Sequence, residues 1–246
     1  MAFKNFEKIL LQGSFLLKYY VIECYRRGGK MKCIVTGATG HIGNVLVREL
    51  VKRGYDTSAF VLESDKMPEG IDVPIVHGDV RDLNSLVNAF QGMDVVFHLA
   101  GIIEIGSGNK KLVHMVNVEG SKNVVEACKI AKVKKLVYTS SVHAIEEKKH
   151  GEIISETKEF DPKRVKGLYA KSKAEATQYI LEANSKELET IIVHPSGVIG
   201  PYEYVTSNLG QLILDCVNQK IHAYLNGGYN FVDVRDVVNG SILALE

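Results

Sequence analysis

The stretch that most limits what this chain can become is Thr36-Gly37-Ala38-Thr39-Gly40-His41-Ile42-Gly43, with three glycines spaced three apart. The apolar run before it, 32–36, has the length of a buried strand. The segment after it, 42–53, carries Ile42, Val45, Leu46 and Leu50 at three- and four-residue spacing, which predicts an amphipathic helix. Gly37 permits a tight turn, Gly40 lets backbone approach a pyrophosphate, and Gly43 lets the helix pack closely on the sheet. The helix N-terminus then offers unpaired N–H groups to the phosphates. Three glycines can also make a simple turn, so the surrounding pattern has to decide between the two.

That pattern is an alternation. Strand candidates at 32–36, 57–62, 74–77, 94–99, 135–139 and 190–194 are separated by helical periodicity, as at 118–132 with Val124, Ala127, Cys128 and Ala131. Short apolar strands separated by helices predict an α/β fold, a doubly wound parallel sheet covered on both faces. With 246 residues and neither a repeat nor a low-complexity linker, one domain with a large core is expected over 31–246. Placed at the first strand–helix junction of such a chain, the glycine loop points to a bound dinucleotide.

Charge distribution says more than net charge. Residues 1–30 hold six basic and two acidic residues, while the rest of the chain is net −3 and the whole is +1. A mildly acidic body gives no electrostatic reason to expect nucleic acid as a partner. The run Arg26-Arg27-Gly28-Gly29-Lys30 directly precedes Met31 and is encodable by purine-rich codons of the kind found before a bacterial start codon. Met31 is therefore expected as the natural start, with 1–30 a translated, non-core extension; the alternative is an amphipathic helix packed on the domain. The apolar stretch 9–17 is interrupted by Gln12, Gly13 and Ser14 and is too short to cross a bilayer. No membrane partner is expected. Cys24, Cys33, Cys128 and Cys216 are scattered without a C-x-x-C pair or ligand spacing, which fits reduced thiols in a cytoplasmic protein. The eight histidines show no ligand spacing either, so no metal site is expected; His98 is read as a packing residue.

Several segments, in order, resemble the extended short-chain dehydrogenases/reductases, the epimerase/dehydratase group. The glycine loop is similar to their T-G-x-x-G-x-x-G fingerprint. His77-Gly78-Asp79-Val80-Arg81-Asp82 resembles their segment after the third strand, whose Asp contacts adenine. Val96-Phe97-His98-Leu99-Ala100-Gly101 resembles the fourth strand and its cofactor-lining turn, and Asn117-Val118-Glu119-Gly120-Ser121 the start of the next helix. His194-Pro195-Ser196-Gly197-Val198-Ile199-Gly200-Pro201 is similar to a segment beside the nicotinamide, with His194 where Arg is common. Asn230-Phe231-Val232-Asp233-Val234-Arg235-Asp236-Val237 resembles a late segment bracing the substrate region. The resemblance implies a Rossmann-type fold and NAD or NADP held by Gly37, Thr39, Gly40, His41, Ile42, Gly43, Asp79, Val80, Leu99, Ala100, Gly101 and Pro195. It also implies a dimer through the helices at 118–132 and 168–184.

The catalytic constellation follows the fifth strand. Val137-Tyr138-Thr139-Ser140-Ser141 ends where that group places a Ser or Thr; alignment favours Ser141, with Ser140 as fallback. Tyr169-Ala170-Lys171-Ser172-Lys173 matches Y-x-x-x-K, and four-residue spacing puts Tyr169 and Lys173 on one helix face. A phenol with a reference pKa near ~10 needs help at neutral pH. A neighbouring ammonium and an oxidised nicotinamide favour the phenolate, and Ser141 would hydrogen-bond the substrate oxygen. Tyr169 and Lys173 are also implied in cofactor binding.

Two departures from the group's pattern stand out. The second strand ends Phe60-Val61-Leu62-Glu63-Ser64, where that group places an acid for ribose or an Arg for a 2′-phosphate. Glu63 is the candidate ribose ligand, its alternative being a solvated loop charge, and NAD is expected over NADP. The chain also stops at Glu246 directly after a helix-like run, so its substrate-binding region is expected to be incomplete. The expected reaction is hydride transfer between nicotinamide and a ketone or secondary alcohol, in the manner of dihydroflavonol-reductase-like and 3β-hydroxysteroid-dehydrogenase-like members. The alternatives are a nucleotide-sugar epimerase or dehydratase with tightly held NAD, and a dinucleotide-sensing protein without turnover. The segments 103–116, 143–167 and 202–229, read as substrate loops, carry no recognisable code for the substrate.

Overall fold

The computed structural model describes residues 30–246 apart from 105, 107, 150, 222–226 and 246. The two readings of the N-terminal extension therefore lie outside the described residues, save Lys30.

Six parallel strands form the central sheet: β1 (Lys32–Thr36), β2 (Asp56–Val61), β3 (Ile75–His77), β4 (Val95–His98), β5 (Lys135–Thr139) and β6 (Glu189–Val193). Their order is β3-β2-β1-β4-β5-β6, so the winding reverses between β1 and β4. At that reversal the loops leaving the two strands diverge and open a crevice. Residues along β1 point alternately to the two faces, as a pleated strand requires. Ile34 joins Phe60, Val96, Leu136 and Tyr138 on one face, while Cys33 and Val35 join Ala59, Phe97 and Val137 on the other.

Helices bury both faces. On the first lie α2 (Leu83–Phe90), α4 (Gly120–Ala131) and α5 (Leu168–Glu182), contributing Leu86, Phe90, Val124, Cys128 and Ile180. On the second lie α1 (His41–Lys52) and α7 (Val234–Leu245), contributing Leu46, Leu50, Val238 and Ile242. The Asp82 carboxylate caps α2 by accepting from the Asn84 and Ser85 N–H groups, satisfying donors that a helix start leaves open. Cys33 and Cys128 are buried thiols pushed up by desolvation, Cys33 to about 12, so both pack as small apolar groups.

The strand predictions hold to within one residue at each end. Three features differ from the sequence reading. The segment 103–116 contains a short helix, α3 (Lys110–His114), which runs through a π turn at Met115–Glu119 into α4. The wide turn carries Asn117 inward, where an unbroken 3.6-residue period gives no hint of it. The segment 202–229 contains α6 (Asn208–Val217), whose Leu212, Ile213, Leu214 and Val217 are exposed. A second, two-stranded parallel sheet pairs β7 (Gly197–Ile199) with β8 (Phe231–Asp233). Strands of three residues are too short to show a period in the sequence. Among the described residues no helix is long and apolar enough to cross a membrane.

Candidate active site

The glycine loop leaves β1 at the sheet's reversal. Gly37 has φ +69°, and a Cβ there would lie 2.7 Å from the Ala100 backbone nitrogen. The turn after β4 thus lies directly against the turn after β1. A Cβ on Gly43 would lie 2.1 Å from the Gly37 carbonyl oxygen, so α1 sits against the loop as only glycine allows. Gly40 caps α1 without a side-chain hydrogen bond, and the first turn holds no acidic residue. Its N–H groups therefore remain available to an anion, with the positive end of the helix dipole behind them. A cradle of bare backbone beside uncapped N–H donors fits a dinucleotide pyrophosphate.

A buried hydrogen-bonded row ties this cradle to the rest of the site. Strand register aligns Thr36 with His98 and His98 with Tyr138. Thr36 Oγ1 accepts from the Leu99 and Ala100 N–H groups, leaving its own hydrogen for His98 Nδ1 at 2.8 Å. Ser121 donates to the Asn117 carbonyl and lies 3.0 Å from His98 Nε2, so that nitrogen carries the ring hydrogen. Burial, with a smaller contribution from Lys173, pulls His98 down to about 3. The imidazole is a neutral strut, in keeping with the packing role expected of it. Asn117 holds the next stretch: its Oδ1 accepts from the Ile102 N–H at 2.8 Å. Its Nδ2 donates to the Ile102 carbonyl at 2.9 Å and to Ser172 Oγ at 3.0 Å.

Ser141, Tyr169 and Lys173 come together at the carboxyl end of β5 and the first turns of α5. Tyr169 and Lys173 share a helix face, and the nearby Ser141 side chain acts to hold the Tyr169 phenol's proton affinity down. Desolvation nevertheless dominates, and with a smaller push from Tyr229 it raises Tyr169 to about 12. The Lys173 ammonium donates to the Thr139 carbonyl at 2.8 Å and to the Tyr138 hydroxyl at 3.3 Å; burial pulls it down to about 7. Ser140 points elsewhere. Its hydroxyl is buried 2.6 Å from Thr177 Oγ1, which itself donates to the Lys173 carbonyl. Of the two serines, only Ser141 faces Tyr169.

The remaining candidates fall around this centre. His41 Nε2 lies 3.0 Å from the Pro201 carbonyl, drawing the segment after β7 to the loop; Ile42 is half-buried beside it. Leu99, Ala100 and Gly101 line the crevice from β4. Pro195 is buried, its carbonyl accepting from the Val142 N–H at 3.0 Å, while His194 Nδ1 donates to the Ser141 carbonyl at 3.1 Å. Asp79 is held by Arg81, whose guanidinium keeps the carboxyl below its ordinary range. Val80 is buried against Gly120.

Glu63 is placed differently from the other candidates. Its exposed carboxylate lies 3.7 Å from His77 Nδ1. The acid that touches the glycine loop is Asp65, whose Oδ2 accepts from Thr39 Oγ1 at 3.1 Å. The chain turns back there through an Asp65 N–H to Leu62 carbonyl bond, so two further residues bring the carboxylate inward. Thr39, Ser64, Asp65 and Lys66 line a cleft of about 660 Å³ at this end of the loop. Asp65, Asn117, Ser172 and Tyr138 were not among the sequence candidates. Asn117 and Tyr138 lie inside recognised segments, but their burial and partners come only from the fold. Among the described residues no cluster of His, Cys, Asp or Glu is arranged to hold a metal.

A family model described as "3-beta hydroxysteroid dehydrogenase/isomerase family" matches residues 34–246. A protein of Synechocystis sp. named for dihydroflavonol 4-reductase is 35% identical over 212 residues, covering 85% of this chain and 62% of that protein. Sterol-4-alpha-carboxylate 3-dehydrogenase, decarboxylating, of Homo sapiens is 34% identical over 236 residues, covering 92% of this chain and 60% of its own. The chain therefore spans about three fifths of the length of these two relatives. The structure of UDP-glucose 4-epimerase of Thermus thermophilus in complex with NAD superposes with a TM-score of 0.74 at 29% identity, covering 87% of this chain and 74% of that one.

Proposed function

Because the chain belongs to the 3-beta hydroxysteroid dehydrogenase/isomerase family, we propose that it supports hydride transfer between a nicotinamide dinucleotide and a secondary alcohol or ketone, with Ser141, Tyr169 and Lys173 as catalytic residues. The observation carrying this reading is the meeting of those three side chains beside a bare backbone cradle at the sheet's reversal. A bound nicotinamide supplies the two-electron partner for the reacting carbon. The loop from Gly37 to Gly43 holds the pyrophosphate. Asp79 and Val80 border the adenine end, and Leu99, Ala100, Gly101 and Pro195 border the nicotinamide end.

The chain's own residues then handle the proton. Raised to about 12, Tyr169 is a phenol at neutral pH, the form that gives its Oη proton to a developing alkoxide. Ser141 Oγ donates a hydrogen bond to the same oxygen, so charge forming there meets a fixed dipole. With Thr36 bonded to a neutral His98 and Asn117 bonded to Ser172, these groups are positioned before the reaction begins.

NAD is favoured over NADP through Asp65. A carboxylate held on Thr39 accepts from a ribose diol and repels a 2′-phosphate. Glu63, turned toward His77, takes no part. A second reading, nucleotide-sugar epimerisation, draws on the fold shared with the NAD-bound epimerase.

Incubation with NADH and a panel of ketones, and separately with NAD and nucleotide sugars, distinguishes the two. Net oxidation of NADH supports the proposal. Sugar conversion without net cofactor change, or NAD retained through purification, favours epimerisation. Tight dinucleotide binding with neither reaction rejects both and leaves a dinucleotide sensor.

A further inference from the structure

Lys173 is buried, at 5% exposure, and an ammonium in such a place needs its three N–H donors directed at something. Two are accounted for within the protein, by the Thr139 carbonyl at 2.8 Å and the Tyr138 hydroxyl at 3.3 Å. The ring of Tyr138 adds a third contact, with Nζ 4.7 Å from its centroid, a distance at which an aromatic face attracts a cation. A third N–H remains. A Cβ on Gly101 would lie 3.7 Å from Nζ, so the absence of a side chain there leaves the space before the ammonium open to the crevice.

We propose that Tyr138 is a positioning residue for Lys173, its hydroxyl and ring fixing the ammonium so that one N–H faces the dinucleotide crevice before Gly101. The inference rests on the proposed hydride-transfer reading for its catalytic meaning, and on geometry alone for the placement of the lysine.

Tyr138 is suited to this because nothing lets it move. It is 1% exposed, its ring stacks on His98 at 5.4 Å and 25°, and strand register sets the two side by side. Desolvation raises its phenol strongly, aided by Tyr169, so it stays protonated and its oxygen remains an acceptor. His98 is itself held between Thr36 and Ser121. The lysine of the catalytic helix is thus aimed by a row of side chains that begins at the strand feeding the glycine loop. The ionisable groups facing Lys173 are Tyr138 on β5, His98 on β4, Tyr169 on its own helix and His194 after β6. Both imidazoles are pulled down, chiefly by burial, so neither brings a competing positive charge near neutrality. An acceptor on the ammonium favours its charged form, and losing that acceptor lowers the lysine's proton affinity.

Tyr138→Phe keeps the ring and its stacking and removes only the hydroxyl. Side-chain amine resonances of ¹⁵N-lysine-labelled protein, titrated without cofactor, should show the Lys173 proton affinity falling about tenfold, the scale of one hydrogen bond to a charged group. In turnover, kcat should fall with KM little changed, and the alkaline limb of the kcat profile should move to lower pH. Val137→Ala, on the opposite face of β5, controls for lost stability: it should lower Tm without moving the lysine's titration. An unchanged Lys173 midpoint in folded Tyr138→Phe, or an equal shift in Val137→Ala, overturns the proposal. A shifted midpoint in Tyr138→Phe, with no hydride transfer by the unaltered protein, upholds the placement by Tyr138 and rejects the hydride-transfer reading instead.

Discussion

Replacing Lys173 with methionine should make the cofactor-free protein more stable below neutral pH and lose that advantage as pH rises. The unfolded lysine holds its proton up to its ordinary value of 10.5, whereas the folded one holds it only to about 7. At 1.36 kcal/mol per tenfold change in proton affinity, burying the charge costs about 5 kcal/mol. Below about pH 7 both states are charged and the whole cost is present. Between about 7 and 10.5 the unfolded chain holds more protons, so the lysine protein gains stability as pH rises. Methionine fills the stem's volume without charge, but it leaves the Thr139 carbonyl and Tyr138 hydroxyl short of a donor, a loss of about 1–3 kcal/mol. The net gain at about pH 6 is therefore about 2–4 kcal/mol, or roughly 4–16 °C in Tm for a chain of this size; it vanishes between about pH 8 and 10, where the remaining charge cost equals the lost hydrogen bonding, and the methionine variant is the less stable above that. Thermal unfolding of both proteins across that range, followed by circular dichroism, reads the difference. Groups that do not interact with Lys173 cancel, and the two imidazoles that do, His98 and His194, are both pulled down by burial, so the slope above neutrality reports Lys173. A methionine variant less stable at about pH 6, or a difference that does not change with pH, refutes the reasoning.

Two further outcomes follow from the cradle. Gly43→Ala places a methyl 2.1 Å from the Gly37 carbonyl; it should cost about 1–3 kcal/mol of stability and weaken dinucleotide binding, checked by denaturant unfolding and cofactor titration. Asp65→Asn removes the carboxylate held on Thr39 and should raise NADP affinity relative to NAD by about tenfold, the scale of one partly exposed charge contact. Unchanged relative affinity in side-by-side titrations would take Asp65 out of cofactor selection.

Much of this architecture is readable in the sequence because the deciding interactions are local. The glycine loop, the strand runs and the Tyr169/Lys173 spacing each lie within one or two turns of chain, where side-chain period follows directly from backbone geometry. Thr36, His98 and Tyr138 are different. They are 62 and 40 residues apart in sequence, and only strand register makes them neighbours. Choosing between Ser140 and Ser141 likewise needs Thr177, which claims the first hydroxyl. Glu63 and Asp65 differ by two residues, and a single turn at Leu62 puts the second rather than the first against Thr39. The π turn before α4 breaks the helical period where Asn117 turns inward, so periodicity misses a residue that ties two elements together.

The central claim is that Tyr169 moves the proton while the glycine cradle holds the cofactor. Tyr169→Phe separates these, because it removes one hydroxyl from a half-buried ring and leaves α5 and the loop untouched. Single-turnover hydride transfer, measured in the whole protein beside dinucleotide affinity, is the direct test. The account predicts a rate lowered by about 10² to 10⁴-fold with affinity nearly unchanged. A Tyr169→Phe rate close to that of the unaltered protein would contradict it.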